Sequence, residues 1–203
     1  MKQIIFIIAL LIVGIAGASA QESQDNNSES RWNFGARAGI NFTHDKDINA
    51  TSNVGFDCEF LSDFHLRNKL YFRTGLGFRE FRQKWTPRYS EYYTQTSPNK
   101  QVGNTIYLPL RLAWKLPLGT NFKLDLETGT FLSYGIGGKS KCCFNGDKHD
   151  TFESGFKNRY NYGIDCGAGI SFKNYYIGVS GTFSNRNITP GYIGAVKLGY
   201  TFK

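Results

Sequence analysis

Histidine is scarce in this chain, which holds three in 203 residues, and its four cysteines follow no metal-binding spacing. No histidine stands near a cysteine at the separations a zinc site uses. Cys142 and Cys143 are adjacent, where a disulfide is strained, and Cys58 and Cys166 fall in segments far apart in the chain. Free thiols are expected, with a Cys142–Cys143 bond or a loop crosslink as the alternative. Helical periodicity is missing as well: past residue 20 no 3.6-residue pattern of useful length occurs. No solenoid-type repeat is visible. We expect no cofactor and no metal.

What the chain does have begins at its first residues. Lys2 is followed by an apolar run from Ile4 to Ala16 and then by Ala18-Ser19-Ala20, a small-x-small cleavage pattern. This predicts a signal peptide over residues 1–20, cut after Ala20 between the recognition residues Ala18 and Ala20. A transmembrane helix is the alternative, but the uncharged stretch is barely long enough and lacks a basic stop-transfer flank. No cysteine follows the cut, which argues against a lipoprotein. Residues 21–30 (QESQDNNSES) read as a disordered polar leader, and residues 31–203 as one domain. The formal charge of +8 would suit nucleic acid, but export excludes that partner and favours lipid phosphates.

Seventeen phenylalanines, 12 tyrosines and 23 glycines accompany a mean hydropathy of −0.37. That combination fits alternating β-structure. Eight segments alternate with period two: residues 32–42, 54–62, 70–81, 105–115, 122–134, 160–172, 175–183 and 192–202. In the first, Trp32, Phe34, Ala36, Ala38, Ile40 and Phe42 share one face and Arg37 lies on the other. Most segments have the length a tilted strand needs to cross a bilayer, whereas a soluble strand averages about 5–6 residues. The connections alternate long and short. Residues 43–53, 82–104 and 135–159 are long, 63–69 compact, 116–121 short, and Lys173-Asn174 is a two-residue turn. Short turns on the periplasmic side and long loops outside are the pattern of outer-membrane barrels. Aromatics recur at the segment ends. Trp32, Phe34, Trp114, Phe122, Phe172, Tyr175, Tyr200 and Phe202 would ring the periplasmic interface. Phe42, Phe56, Phe81, Trp85, Tyr134, Tyr162, Phe183 and Tyr192 would ring the outer one.

The predicted fold is therefore all-β: an eight-stranded antiparallel transmembrane up-and-down barrel behind a cleavable signal. Its polar faces carry both signs. Arg37, Arg73, Arg111 and Lys197 stand at depths where they meet Glu59, Glu127 and Asp165, and buried charges must pair. Glycines 75, 77, 129, 163, 167 and 169 leave room for the long arms. A packed salt-bridge network is expected, with a narrow ion or proton path as the alternative.

Several stretches resemble the small outer-membrane β-barrel family described as porin-like or PorT-like. They are LSDFHLRNKLYFRTGLGF, TIYLPLRLAWKLP, LETGTFLSYGIGGKS, YGIDCGAGISF and the closing VKLGYTFK, in the family's order and covering about residues 33–203. The resemblance implies an integral outer-membrane location and the barrel, and implies no common catalytic residues. Tyr200 and Phe202 stand where such proteins carry the aromatic that the barrel-insertion machinery reads.

Other readings compete. An outer-membrane enzyme would need a base and nucleophile near the outer rim. The candidates are His44 with Asp45 and Asp47, and His149 with Asp147 and Asp150; His65 sits at a periplasmic turn. A non-enzyme is expected. Arg82, Lys84, Arg88, Lys139 and Lys141 fall in the long outside loops beside tyrosines, where they suit lipid headgroups, glycans or another extracellular ligand. A soluble lipocalin-like ligand-binding barrel would turn its apolar face inward. The expected role is structural, surface-interacting or porin-like, with outer-membrane lipid as the principal partner.

Overall fold

The computed structural model describes residues 31–44, 50–85, 99–141, 148–152, 159–184 and 191–202. The chain divides into two units, residues 1–32 and 33–203. Of the first unit only Arg31 and Trp32 are described.

Among the described residues ten strands follow one another: β1 (Trp32–His44), β2 (Ala50–Ser52), β3 (Val54–Arg67), β4 (Leu70–Trp85), β5 (Asn99–Pro117), β6 (Phe122–Lys141), β7 (Lys148–Asp150), β8 (Tyr160–Phe172), β9 (Tyr175–Ser184) and β10 (Tyr192–Phe202). Eight of them form a ring. Going round it, β1 neighbours β3, then come β4, β5, β6, β8, β9 and β10, and β10 pairs back with β1 antiparallel. The two short strands lie off this ring, β2 against β4 and β7 against β6. Closure gives every wall strand two hydrogen-bonded neighbours, which a sheet in lipid requires because an unpaired edge has no water to satisfy it.

The alternation read from the sequence sorts the side chains as a membrane protein must. Ile164 and Leu198 are 59% and 62% exposed, and Ile177, Val179 and Phe183 also face outward. Asp57 is 0% exposed, Lys197 1% and Arg111 2%. A lipocalin-like barrel has the opposite orientation, so the soluble alternative fails. Cys58 and Cys166 are free and lie on the outward face, in β3 and β8. Cys142 and Cys143 lie outside the described residues.

Four expectations are corrected. The compact connection over 63–69 is mostly strand: β3 runs to Arg67 and turns only at Asn68-Lys69, which brings Asp63 into the lumen. His65 is thus a strand residue, 2.8 Å from the Asn68 carbonyl through its Nε2. Phe81 is fully buried, not a girdle residue. It is odd-numbered on β4, where the even-numbered Phe72, Leu76 and Phe78 face out, and its ring lies over Gly103. Arg82, Lys84, Lys139 and Lys141 are not in loops but on outer extensions of β4 and β6. These extensions run beyond the apolar band and so lack the alternation that reveals a membrane strand. Of the remaining girdle residues, Trp114, Phe122, Phe172, Tyr175, Tyr200 and Phe202 are exposed at the end of the short turns, and Phe42, Phe56, Tyr162, Phe183 and Tyr192 at the other. The side chain of Trp85 is outside the described set.

Candidate functional site

The inner wall alternates long arms with gaps. Arg111, Gly129 and Asp165 stand in one cross-strand row on β5, β6 and β8. The Arg111 guanidinium passes over the glycine to reach the carboxylate two strands away, its Nε donating to Asp165 Oδ1 at 2.9 Å. A Cβ on Gly129 would come within 2.1 Å of the Leu110 carbonyl oxygen and 2.6 Å of the Arg111 Cα, so only glycine fits the gap. Glu59, Gly77 and Tyr107 repeat the device on β3, β4 and β5. There the Tyr107 ring lies across Gly77, 2.2 Å from where a Cβ would stand. The pleat explains the pattern. Neighbouring inward positions are only about 5 Å apart, so where a ring lies flat across its neighbour, as Tyr107 does over Gly77, only glycine fits beneath it.

The arms form one network rising from the end with the short turns. Arg73 donates to both oxygens of Asp63 at 2.6 and 2.9 Å, and Lys115 joins the same carboxylate. Arg73 also donates to Asp125 at 3.0 Å and to Glu127, which Arg37 reaches from the opposite wall at 3.0 Å. Glu59 receives Arg111 at 3.1 Å and Lys197 at 3.2 Å. Asp57 receives Arg79 at 2.7 Å and Lys197 at 3.0 Å. The Tyr107 hydroxyl donates toward Asp57 and Glu59 at 3.0 and 3.1 Å. Three aromatic faces take up cations of the network, Tyr176 beneath Arg37, Tyr107 beneath Arg79 and Tyr71 beneath Lys115.

All seven residues expected in the lumen network, Arg37, Glu59, Arg73, Arg111, Glu127, Asp165 and Lys197, are buried and linked through these contacts. The structure adds Asp57, Arg79, Tyr107, Lys115 and Asp125 to the network; alternation in the sequence puts them on the same polar faces as Glu59, Arg73, Arg111 and Glu127 without showing that they join it. Asp63 was missed, because it falls in the stretch expected to be a connection. Among the described residues, Arg37, Arg73, Arg79, Arg111, Lys115 and Lys197 face Asp57, Glu59, Asp63, Asp125, Glu127 and Asp165, so the two signs are equal in number. Above this layer Phe81, Phe131 and Phe152 are buried in the outer half of the lumen.

Within the lumen, the larger space among the described residues lies at the end with the short turns. A cavity of about 180 Å³ opens there, lined by Asp63, Arg73, Lys115, Asp125 and Tyr176 among others. Between Arg79, Phe81, Tyr107 and Phe131 the space is only about 10 Å³, the threshold for a single water.

The other candidates fare differently. His44 ends β1, while Asp45, Asp47, Arg88 and Asp147 lie outside the described residues. His149 sits in β7, and its side chain is likewise outside them. Asp150 accepts from the Phe152 N–H at 3.0 Å and from Arg159 at 3.3 Å. Among the described residues no cluster of His, Cys, Asp and Glu could hold a metal ion. At the outer rim Arg82 is ion-paired with Glu80 at 2.7 Å, and Lys139 and Lys141 are exposed. Tyr200 and Phe202 face outward on the last strand with ring centroids 5.6 Å apart.

Known proteins share this architecture. Neisserial surface protein A superposes with a TM-score of 0.54 at 15% identity, covering 87% of this chain and 99% of that one. Ail of Yersinia pestis gives 0.42 at 14% identity, over 84% and 97% of the two chains. The outer membrane enzyme PagL gives 0.41 at 12% identity, over 84% and 99%. At 15% identity the likeness to Neisserial surface protein A is one of fold alone. No curated protein matches the sequence significantly. A family model described as outer membrane protein beta-barrel domain matches residues 19–190. The chain belongs to that family, and with its lipid-facing apolar wall and closed ring it is an integral β-barrel protein of the bacterial outer membrane.

Proposed function

We propose that this protein is a closed, non-catalytic barrel that serves the envelope as a structural and surface-presenting element, and that it does not conduct solutes. One observation carries this reading: the lumen is filled by a charge-balanced set of paired side chains under an aromatic layer. An ion crossing it would have to displace arms held by two or three partners each, such as Arg73 on Asp63, Asp125 and Glu127. Opening one such pair exposes charges in low dielectric at a cost of several kcal/mol. A porin-like leak needs a continuous wet path, and the narrowing beside Phe81 and Tyr107 opposes one. The test is conductance across a planar bilayer holding the refolded protein, together with liposome swelling. Neither is expected to exceed the protein-free control, and reproducible unitary conductance steps would refute closure.

The ends of the chain belong to the same reading. Residues 1–20 serve as the export signal and residues 21–30 as a polar leader to the barrel domain, with outward-facing Tyr200 and Phe202 offered to the insertion machinery. Sequencing the amino terminus of protein taken from outer membranes should begin at Gln21.

A further inference from the structure

Four lysines stand side by side at the outer rim. Lys84 of β4 is in register with Lys100 of β5, Lys100 with Lys141 of β6, and Lys141 with Lys148 of β7. Directly opposed residues of antiparallel strands project to the same side, here the outward face that also carries Phe78, Ile106 and Tyr134 nearer the membrane. Four strands about 4.8 Å apart set the first and last lysine backbones roughly 14 Å from each other. Arg82 and Lys139 occupy the next outward row toward the bilayer, where Asp150 stands opposite Lys139. Like charges directly opposed across strands destabilise a sheet. The nearby carboxylates are engaged elsewhere: Glu80 holds Arg82, and Asp150 holds Arg159. Among the described residues no carboxylate forms a salt bridge with any of the four lysines.

Height selects the anion. On β5, Ile106 is level with Tyr134 and Lys100 with Lys141, about 20 Å of strand, roughly 14–16 Å above the aromatic level once a 35–45° tilt is allowed. A phospholipid headgroup layer is only about 5–8 Å deep per leaflet. The row therefore stands above ordinary lipid phosphates, level with a larger saccharide headgroup.

We propose that this lysine row is a binding face for clustered phosphates on the saccharide headgroup of an outer-leaflet glycolipid. The phosphates would sit between neighbouring ammonium groups and relieve their mutual repulsion, holding the barrel against its surrounding lipid shell. This is independent of whether the lumen conducts.

The experiment uses the full barrel in phosphatidylcholine nanodiscs, with and without a lipopolysaccharide phosphorylated in its inner core. One arm measures lipopolysaccharide retained after washing at low and high salt. A second uses the same lipopolysaccharide after phosphatase treatment, and a third titrates soluble inositol hexakisphosphate. The variant replaces Lys84, Lys100, Lys141 and Lys148 with glutamine. A control variant carries Lys123→Gln and Lys173→Gln at the other end of the barrel. Retention should be strong, lost at high salt and lost on dephosphorylation. It should fall about fivefold per lysine removed, so by more than a hundredfold in the quadruple variant. The control should bind as the parent does. Heat-modifiable migration identifies folded protein, so weak binding by an unfolded variant is not counted. Equal binding by the quadruple variant, or indifference to dephosphorylation, would overturn the proposal. Binding of inositol hexakisphosphate without retention of the glycolipid would overturn the lipid source in favour of a soluble polyanion.

Discussion

Replacing Arg111 with methionine isolates the principle on which the lumen is built. Methionine retains most of the volume of the arm and removes its charge. Glu59 and Glu127, which lose one partner, each keep two: Glu59 keeps Lys197 and Arg37, Glu127 keeps Arg37 and Arg73. Asp165 keeps none, because among the described residues Arg111 is its sole ion-pair partner. The change leaves one buried carboxylate uncompensated, which costs about 3–5 kcal/mol. Adding Asp165→Asn removes the stranded charge, and the double variant should recover to within about 1–2 kcal/mol of the parent, since neutral replacement of a buried pair is nearly free. The assay is a urea titration of the barrel folded in phosphatidylcholine vesicles, followed by tryptophan fluorescence, with the midpoint read at constant slope. If Arg111→Met alone costs less than about 1 kcal/mol, or the double variant is no more stable than the single one, the charge-pairing account of this lumen is wrong.

Three further outcomes follow from the same geometry. Val179 faces lipid midway along β9, in register with Ala168 and Val196; Val179→Arg should cost about 2–4 kcal/mol in the vesicle assay, and no loss would contradict the outward assignment. Gly77→Val places carbon atoms where the Tyr107 ring lies, so a lower melting temperature in micelles is expected, with a loss on the order of 1–3 kcal/mol. Tyr107→Phe keeps the ring and removes the hydroxyl that serves Asp57 and Glu59. It should cost about 1–3 kcal/mol, measured by the same urea titration.

Much of this barrel was legible because lipid imposes a strict two-residue rule on every strand that crosses it. The starts of β6, β8, β9 and β10 at Phe122, Tyr160, Tyr175 and Tyr192 coincide with the first aromatic of each alternating segment. The lumen residues followed from the same rule, which is why Arg37, Arg111 and Asp165 could be named in advance. Legibility failed where the lipid rule stops. Residues 99–104 and 135–141 are strand, yet they carry glycine, asparagine and lysine in an order that alternation does not mark. Outside the bilayer, pairing with a neighbour suffices and apolar side chains are not demanded. The lysine row was invisible for the same reason, since register across four strands is a tertiary fact. Phe81 shows the opposite error: an aromatic near a strand end suggested the girdle, and its odd position on β4 decided otherwise.

The glycine gaps behind each long arm set how this inner wall can change. An arm and its gap belong to adjacent strands that are distant in sequence, such as Arg111 with Gly129 or Tyr107 with Gly77. At Gly77 a bulkier residue is tolerated only when Tyr107 shrinks, so drift there must proceed by paired replacements, whereas the backbone of Leu110 and Arg111 holds position 129 to glycine whatever the arm. An engineer who wants a pore from this scaffold would not add strands. Shortening the arms while leaving their grooves empty would bore the channel through a cylinder of unchanged width.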